Sequence, residues 1–336
     1  MFSLMHQAAL EELHVYQRGP LRAVIALHNL KLGPALGGCR FIEYDDEQSA
    51  INDAIRLARG MSYKAALARV PQGGGKSVIM KPKGDFDRQA LFKLFAQCID
   101  ELGGRYITAM DSGTQVEDMD CMRELTPYVS SSSNIGDPSP STAKGVALGI
   151  QTAVSFALSS DLAGVKVAIQ GLGHVGMALA AHLHKAGAAL YVADIDASKT
   201  AYAQQYFNAD VVPVDRIHAQ AVDVFAPCGL GGAIHENSIH ELDCKIIAGC
   251  ANNQLADASL GDQLHQRGVL YVPDYVINSG GLIFASSRYR GMGEQEIDRS
   301  ISKLKDTLNT IFTLAQSKDT PTHRIADEMA EQILYG

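Results

Sequence analysis

The stretch that most constrains this chain runs from Val165 to Asp194. An apolar run, Val165–Gln170, passes directly into Gly171-Leu172-Gly173-His174-Val175-Gly176, then into a helix-compatible segment beginning at Met177, and on to a second apolar run, Ala189–Asp194. A strand, a glycine-rich turn and a helix in that order read as the start of a βαβ unit that binds a dinucleotide. Gly171 permits the tight turn, Gly173 lets the backbone approach a pyrophosphate, and Gly176 allows helix and strand to pack closely. The loop and first-turn N–H groups, from Leu172 through His174 and Val175 to Met177, would face the phosphates with the positive end of the helix dipole behind them. Asp194 lies 23 residues after Gly171. An acid there accepts hydrogen bonds from both ribose hydroxyls and repels a 2′-phosphate, which favours NAD over NADP. Three alternatives stay open: Asp194 as a helix N-cap, Asp196 as the ribose ligand, and the whole segment as a structural turn.

The pattern around this unit is regular. Val211–Val214, Val222–Ala226, Lys245–Gly249 and Val269–Val272 are further short apolar runs separated by helical stretches. Such alternation predicts a parallel sheet covered on both faces. Val146, Ile150 and Val154 recur at four-residue spacing and predict a helix leading into it. Residues 130–142, SSSSNIGDPSPST, are rich in Ser, Pro and Gly and mark a hinge between domains. Before the hinge, Leu21–His28 and Ser77–Lys81 read as strands, and Glu47–Arg59 and Phe86–Leu102 as helices. The expected architecture is therefore α/β in two domains separated by a cleft. An α/β domain at 1–135 binds substrate and mediates oligomerisation; a doubly wound Rossmann domain at 143–290 binds NAD. The helical tail from about 300 to 336 is expected to pack back on the first domain.

Composition closes off other classes. A net charge of −8 argues against a nucleic-acid binder, which would show a basic face. No apolar run is long enough to span a membrane. The N-terminus lacks the basic n-region of a signal peptide, and the six cysteines show no zinc-ligand spacing. A cytoplasmic protein without a metal is the expectation.

Three polar segments stand out in the first half: Gly60-Met61-Ser62-Tyr63-Lys64, Pro71-Gln72-Gly73-Gly74-Gly75-Lys76-Ser77 and Ala109-Met110-Asp111-Ser112-Gly113-Thr114. The second is not a P-loop: Val70 stands where the first glycine would be, and a strand rather than a helix follows. Its glycines could instead bring backbone and substrate together, with the Lys76 amine aimed into a cleft. Burial or a cationic neighbour such as Lys64 would let a lysine serve as a base near neutral pH.

At this point the chain resembles the glutamate/leucine/phenylalanine/valine dehydrogenase family, most closely its leucine branch. PALGGCR, GMSYK, PQGGGKS, MDSGT, PSPSTAKG, GLGHVG, APCGLGG, GCANNQL and PDYVINSGG occur in order, from about residue 20 to the C-terminus. The resemblance implies that Lys64 holds the substrate carboxylate. It implies that Lys76 is the catalytic lysine, activating water, and that Asp111 shuttles protons to and from the amine. Asn252 would position substrate or the nicotinamide ribose with Asn278 close by, and Thr142 would reach the nicotinamide amide. Hydride would leave the substrate Cα for the nicotinamide, and water would attack the resulting iminium. The family forms homo-oligomers, octamers or dimers.

Glutamate-specific members of the family place a lysine where this chain has Leu36, just before Gly37-Gly38-Cys39-Arg40, and a serine where it has Ala285. Both partners for a side-chain carboxylate are missing. A buried unpaired carboxylate costs several kcal/mol, whereas burying a leucine side chain gains about 1.5–3 kcal/mol. The pocket is read as Leu36, Met61, Ala109, Ser130, Leu282 and Ala285, beside Gly37 and Gly38. The expected reaction is reversible NAD-dependent deamination of leucine, valine or isoleucine to the 2-oxo acid and ammonia. Leu282 and Ala285 depart from the leucine branch and leave an aromatic substrate as the alternative. A non-catalytic NAD-binding regulator is a more distant one.

Overall fold

The computed structural model describes residues 2–336. They divide into two compact units. The chain up to Asp137, with Phe284–Gly293 and Ala330–Gly336, forms the first; Pro138–Ile283 with Glu294–Met329 forms the second.

The first unit runs α1 (Phe2–Gln7), β1 (Glu12–Arg18), β2 (Leu21–Asn29), β3 (Ala35–Ile42), α2 (Glu47–Leu67), β4 (Gly73–Met80), α3 (Arg88–Glu101), β5 (Tyr106–Met110) and α4 (Val116–Arg123). Its five strands lie in the order β1-β2-β4-β3-β5. The pairs β1–β2 and β2–β4 are antiparallel, while β4–β3 and β3–β5 are parallel. Side chains alternate across a strand, and here they sort into two cores. Leu21, Ile25, Leu27, Cys39, Phe41, Ile79 and Tyr106 pack on one face against Leu91, Phe92, Phe95 and Met119 from α3 and α4. Val24, Ala26 and Val78 pack on the other against Ala50, Ala54 and Ala58 of α2.

Two differences from the sequence expectation matter. First, α2 does not stop at Arg59 but runs through Gly60 to Leu67, taking Met61–Lys64 into its last turns. A glycine inside a helix costs about 1 kcal/mol. The small-residue face continues past it with Ser62, Ala65 and Ala66, all buried, and that packing outweighs the cost. Second, the three glycines before Lys76 are part of β4 itself. Strands β1, β3 and β5 escaped sequence reading; β3 carries a glycine pair of poor strand propensity, and its register is set by β4 and β5.

The second unit contains α5 (Ser139–Leu158), β6 (Lys166–Gln170), α6 (His174–Lys185), β7 (Ala189–Ala193), α7 (Ala197–Phe207), β8 (Asp210–Val211), β9 (Val224–Pro227), α8 (Ser238–Glu241), β10 (Ile246–Ile247), α9 (Ser259–Gln266), β11 (Leu270–Tyr271) and α10 (Asp274–Ile277). Then follow α11 (Gly280–Tyr289), α12 (Glu294–Ser302), α13 (Leu304–Lys318) and α14 (Thr322–Tyr335). All six strands are parallel, in the order β11-β10-β9-β6-β7-β8. The chain winds outward from β6 to one edge and returns to β9 on its other side. That is the doubly wound order, with its switch point between β6 and β9. The two-part α/β architecture and the Rossmann sheet are as the sequence implied.

The tail behaves differently from expectation. Helices α12 and α13 belong to the second unit, and only Ala330–Gly336 to the first. The reason is apolar: Leu304, Leu308, Ile311 and Phe312 of α13 are buried, and Phe312 meets Phe156 of α5 at 5.3 Å between ring centroids. Conversely, Phe284–Gly293 belongs to the first unit, where the sequence reading ran the second domain to 290. Among the described residues no helix is long and apolar enough to cross a membrane.

Candidate active site

Strand alternation places Leu36, Gly38 and Arg40 of β3, Gly74, Lys76 and Val78 of β4, and Ile107 and Ala109 of β5 on the α2 face of the first sheet, with Asp111 just past the end of β5. Lys76 Nζ meets Asp111 Oδ2 at 2.5 Å, and Lys76 is only 6% exposed. Burial pushes the Asp111 carboxyl up, but the Lys76 ammonium and its hydrogen bond, the Ser112 N–H and the Arg40 guanidinium outweigh that and hold it below the usual carboxylate range. Asp111 is therefore a carboxylate at neutral pH, able to accept a proton. Its backbone is fixed as well: its N–H donates to Thr114 Oγ1 at 2.8 Å, and the Thr114 hydroxyl donates to the Asp111 carbonyl at 2.7 Å. The charge that meets Lys76 at hydrogen-bond distance is thus an anion, Asp111.

Lys64 sits half-buried in the last turn of α2. That helix is seated on β4 through a glycine. A Cβ on Gly74 would lie 2.0 Å from the Ser62 backbone nitrogen. Ser62 is pinned in turn: His28 Nδ1 lies 2.9 Å from its hydroxyl, and the other ring nitrogen 3.2 Å from the Tyr335 hydroxyl. Burial, with help from Arg59, lowers the His28 pKa to about 4, so the ring is neutral. The remaining glycines are also packing solutions. A Cβ on Gly37 would lie 1.7 Å from the Gly75 carbonyl oxygen, and one on Gly75 would press on Ala35 and Tyr106. Gly38 borders the Lys76–Asp111 pair, since a Cβ there would sit 2.7 Å from Asp111 Cβ and 3.1 Å from Lys76 Nζ. The three glycines of β4 therefore admit protein, Gly73 the end of β2, Gly74 α2, and Gly75 β3 and β5, where the sequence reading gave that space to substrate.

Of the expected pocket residues, Leu36 is 1% exposed and Ser130 fully buried, its hydroxyl donated to the Thr108 carbonyl at 3.1 Å. Met61, Ala109 and Ala285 are half-buried, and Leu282 is buried. Sequence reasoning missed Arg40 as a contributor. Its Nε lies 3.4 Å from Asp111 Oδ2, and its Nη1 donates to Asp53 Oδ2 at 2.8 Å. The signal was present: Arg40 is two residues beyond Gly38, hence on the same face.

In the second unit, Gly171 adopts φ +99°, and a Cβ on it would lie 2.8 Å from the Gly229 nitrogen. A Cβ on Gly176 would lie 2.1 Å from the Gly171 carbonyl oxygen, whereas one on Gly173 would meet nothing within 4 Å. The first turn of α6 starts at Gly173 with no side-chain cap. This is an open cradle at an uncapped helix N-terminus, and it fits a pyrophosphate. Two of the expected donors are already committed. The Leu172 N–H donates to Asp194 Oδ2 at 2.6 Å, and the Met177 N–H to the Gly173 carbonyl at 2.9 Å. His174 and Val175 keep first-turn N–H groups that the helix itself cannot satisfy.

Asp196 accepts from the Ser198 N–H and hydroxyl on one oxygen and caps α7. Asp194 accepts one backbone N–H on each oxygen, from Leu172 and Asp196. A carboxylate has about four lone-pair sites, so it retains capacity for two hydroxyls. Asn278 Nδ2 donates to Asn252 Oδ1 at 2.8 Å and to the Cys250 carbonyl at 3.2 Å. Its Oδ1 is buried without a protein partner, a polar group left for a ligand. The Thr142 hydroxyl donates to the Pro138 carbonyl at 3.1 Å, and Gly280 and Gly281 let α11 approach this turn of α5.

A dinucleotide cradle in one unit and a buried lysine–carboxylate pair in the other define a dehydrogenase. Comparison with known proteins agrees. Residues 12–128 match the dimerisation-domain model of the Glu/Leu/Phe/Val dehydrogenases, and residues 191–331 match the glutamate/leucine/phenylalanine/valine dehydrogenase model. The chain is similar to leucine dehydrogenase of Geobacillus stearothermophilus, 44% identical over 93% of this chain and 86% of that protein. It is also similar to L-tryptophan dehydrogenase of Nostoc punctiforme, 42% identical over 93% of this chain and 89% of that one. The crystal structure of L-tryptophan dehydrogenase from Nostoc punctiforme matches with a TM-score of 0.91 at 38% identity, covering 99% of this chain and 98% of that one. The chain belongs to the glutamate/leucine/phenylalanine/valine dehydrogenase family and is an amino-acid dehydrogenase.

Proposed function

We propose that this protein catalyses reversible NAD-dependent oxidative deamination of a branched-chain aliphatic L-amino acid, leucine, valine or isoleucine, to the 2-oxo acid and ammonia. The observation that carries this reading is the buried Lys76–Asp111 pair at 2.5 Å beside Gly38. The Asp111 carboxylate takes protons from the substrate ammonium. Lys76 orients the attacking water and stabilises the oxygen it delivers. Lys64 pairs with the substrate carboxylate, and Asn252 and Asn278 orient the substrate and the nicotinamide ribose. The first unit is thus the substrate domain and the second the cofactor domain. NAD, when bound, supplies the hydride acceptor; Gly171, Gly173 and Gly176 make room for its pyrophosphate, and Asp194 receives its ribose hydroxyls.

Leu36 in place of a cation supports an apolar side chain, because a substrate carboxylate there would be buried unpaired. The similarity to leucine dehydrogenases at 40–44% identity supports an aliphatic one. A second reading, an aromatic substrate, is favoured by the half-buried Ala285, which leaves room, and by the tryptophan dehydrogenase similarity. The match to a dimerisation-domain model supports a homo-oligomer, and six free cysteines support the cytoplasm.

The test is NADH formation at alkaline pH with each of the twenty amino acids. The highest kcat/KM is expected for an aliphatic one. A maximum with tryptophan or phenylalanine selects the second reading, and no turnover with any apolar substrate overturns both.

A further inference from the structure

Asp111 has a second cation, which the reaction as outlined does not use. Lys76 and Arg40 approach the same oxygen, Asp111 Oδ2, at 2.5 and 3.4 Å. Arg40 does not hang free. Its Nη1 donates to Asp53 Oδ2 at 2.8 Å, and Asp53 receives the Tyr44 hydroxyl at 2.7 Å and Arg56 Nη2 at 2.7 Å. The side chains of Arg40, Asp53 and Asp111 are 21%, 15% and 23% exposed, so the chain of charges is largely screened from water. It spans β3, α2 and the end of β5.

The two cations differ in what the chemistry asks of them. Lys76 must turn to substrate and water, and when it does, Asp111 loses its nearest positive charge. A carboxylate in a mostly buried site without a countercharge takes up a proton more readily. It would then be a poorer acceptor at the moment one is needed. Arg40 cannot move away in the same manner, because Asp53 holds its other end. We propose that Arg40, anchored by Asp53, is a positioning residue that keeps Asp111 ionised and fixed in direction while Lys76 engages substrate. This rests on the proposed roles of Lys76 and Asp111.

Among the groups facing Asp111 are Lys76 from β4, Arg40 from β3 and the Ser112 N–H beside it; Tyr106 of β5 also lies within electrostatic reach, and burial pushes its phenol up so that it stays neutral. The Cys39 thiol on β3 is pushed up to about 12 by burial and stays neutral. Tyr44, beside Asp53, is raised as well, first by burial and then by its hydrogen bond to Asp53, and also stays neutral. Arg40 is thus the one fixed cation among the groups named here.

Arg40→Met, Arg40→Lys and Asp53→Asn test this by steady-state kinetics across pH. Arg40→Met is expected to lower kcat about 100-fold, as misplacement of a catalytic group does. The KM values for amino acid and NAD should stay within about threefold of wild type. The acid limb of the kcat profile should move to higher pH, because a carboxylate that loses a cation holds its proton more tightly. Arg40→Lys, which keeps the charge, should recover part of kcat. If Arg40→Met does not fold, Asp53→Asn carries the test, with an expected loss of about tenfold in kcat at unchanged KM. Unchanged kcat and acid limb in a folded variant overturn the positioning role. The same result with Lys76→Ala inactive leaves the proposed function standing, whereas an active Lys76→Ala overturns that reading first.

Discussion

The two sheets of this molecule use glycine for opposite purposes. In the second unit the glycines lie in one continuous loop, where Gly171 turns against Gly229, Gly176 packs on the Gly171 carbonyl, and Gly173 leaves empty space where a side chain would be. In the first unit the glycines are required by distant segments: Gly37 by the Gly75 carbonyl, Gly74 by Ser62 of α2, and Gly73 by the Asn29 carbonyl. One is an open loop whose signal lies within a single stretch of sequence. The other is a scaffold assembled from four separated segments, whose product is the placement of Lys76 against Asp111. A glycine-rich motif announces a close approach but not what approaches.

The largest effect is expected at the assembled site. Lys76→Ala is expected to lower kcat about 10³-fold, the range for a positioned acid–base group. Unchanged affinity for NAD, measured by fluorescence titration, would show that the loss stays within the first unit.

Next in size is a paired substitution. Gly37→Ala forces a Cβ to 1.7 Å from a backbone oxygen of β4, and should destabilise by about 3 kcal/mol or more. Gly173→Ala enters open space; its stability should stay within about 0.5 kcal/mol of wild type, while NAD binding weakens about tenfold. Urea denaturation and NAD titration of both variants read the two outcomes. Equal stabilities would show that Gly37 and Gly173 serve the same purpose.

The scaffold side also carries a pH effect. The His28 pKa falls from its ordinary value of 6.5 in the unfolded chain to about 4 in the folded one, chiefly through burial. A lowered histidine binds its proton more readily when unfolded, so its contribution is complete above about pH 6.5 and is lost as pH falls toward about 4. The loss is at most about 3 kcal/mol. Urea midpoints at pH 7 and pH 4.5 should fall further apart for wild type than for His28→Gln.

The smallest expected effect is at the local site. Asp194→Ala should raise the KM for NAD about tenfold and let NADP compete, since the repulsion of a 2′-phosphate goes with the carboxylate. Some loss of loop order is part of that effect, because Asp194 also holds the Leu172 N–H.

By itself the sequence determined the second unit and the chemical inventory of the first. The Gly171–Gly176 loop, Asp194 and the alternating apolar runs are local signals, spaced by the periods of helix and strand. Lys64, Lys76 and Asp111 were legible as residue types in unusual contexts. Tertiary structure alone decided what those residues meet. It ran α2 past Gly60 to carry Lys64, because a row of small side chains fits β4 at Gly74. It gave Lys76 an anion as its neighbour, and gave Asp111 the second cation, Arg40, held by Asp53. It assigned α12 and α13 to the second unit through the buried face of α13. These are contacts between segments far apart in the chain. Periodicity tells which face a residue occupies, but only the packed sheet tells what lies across from it.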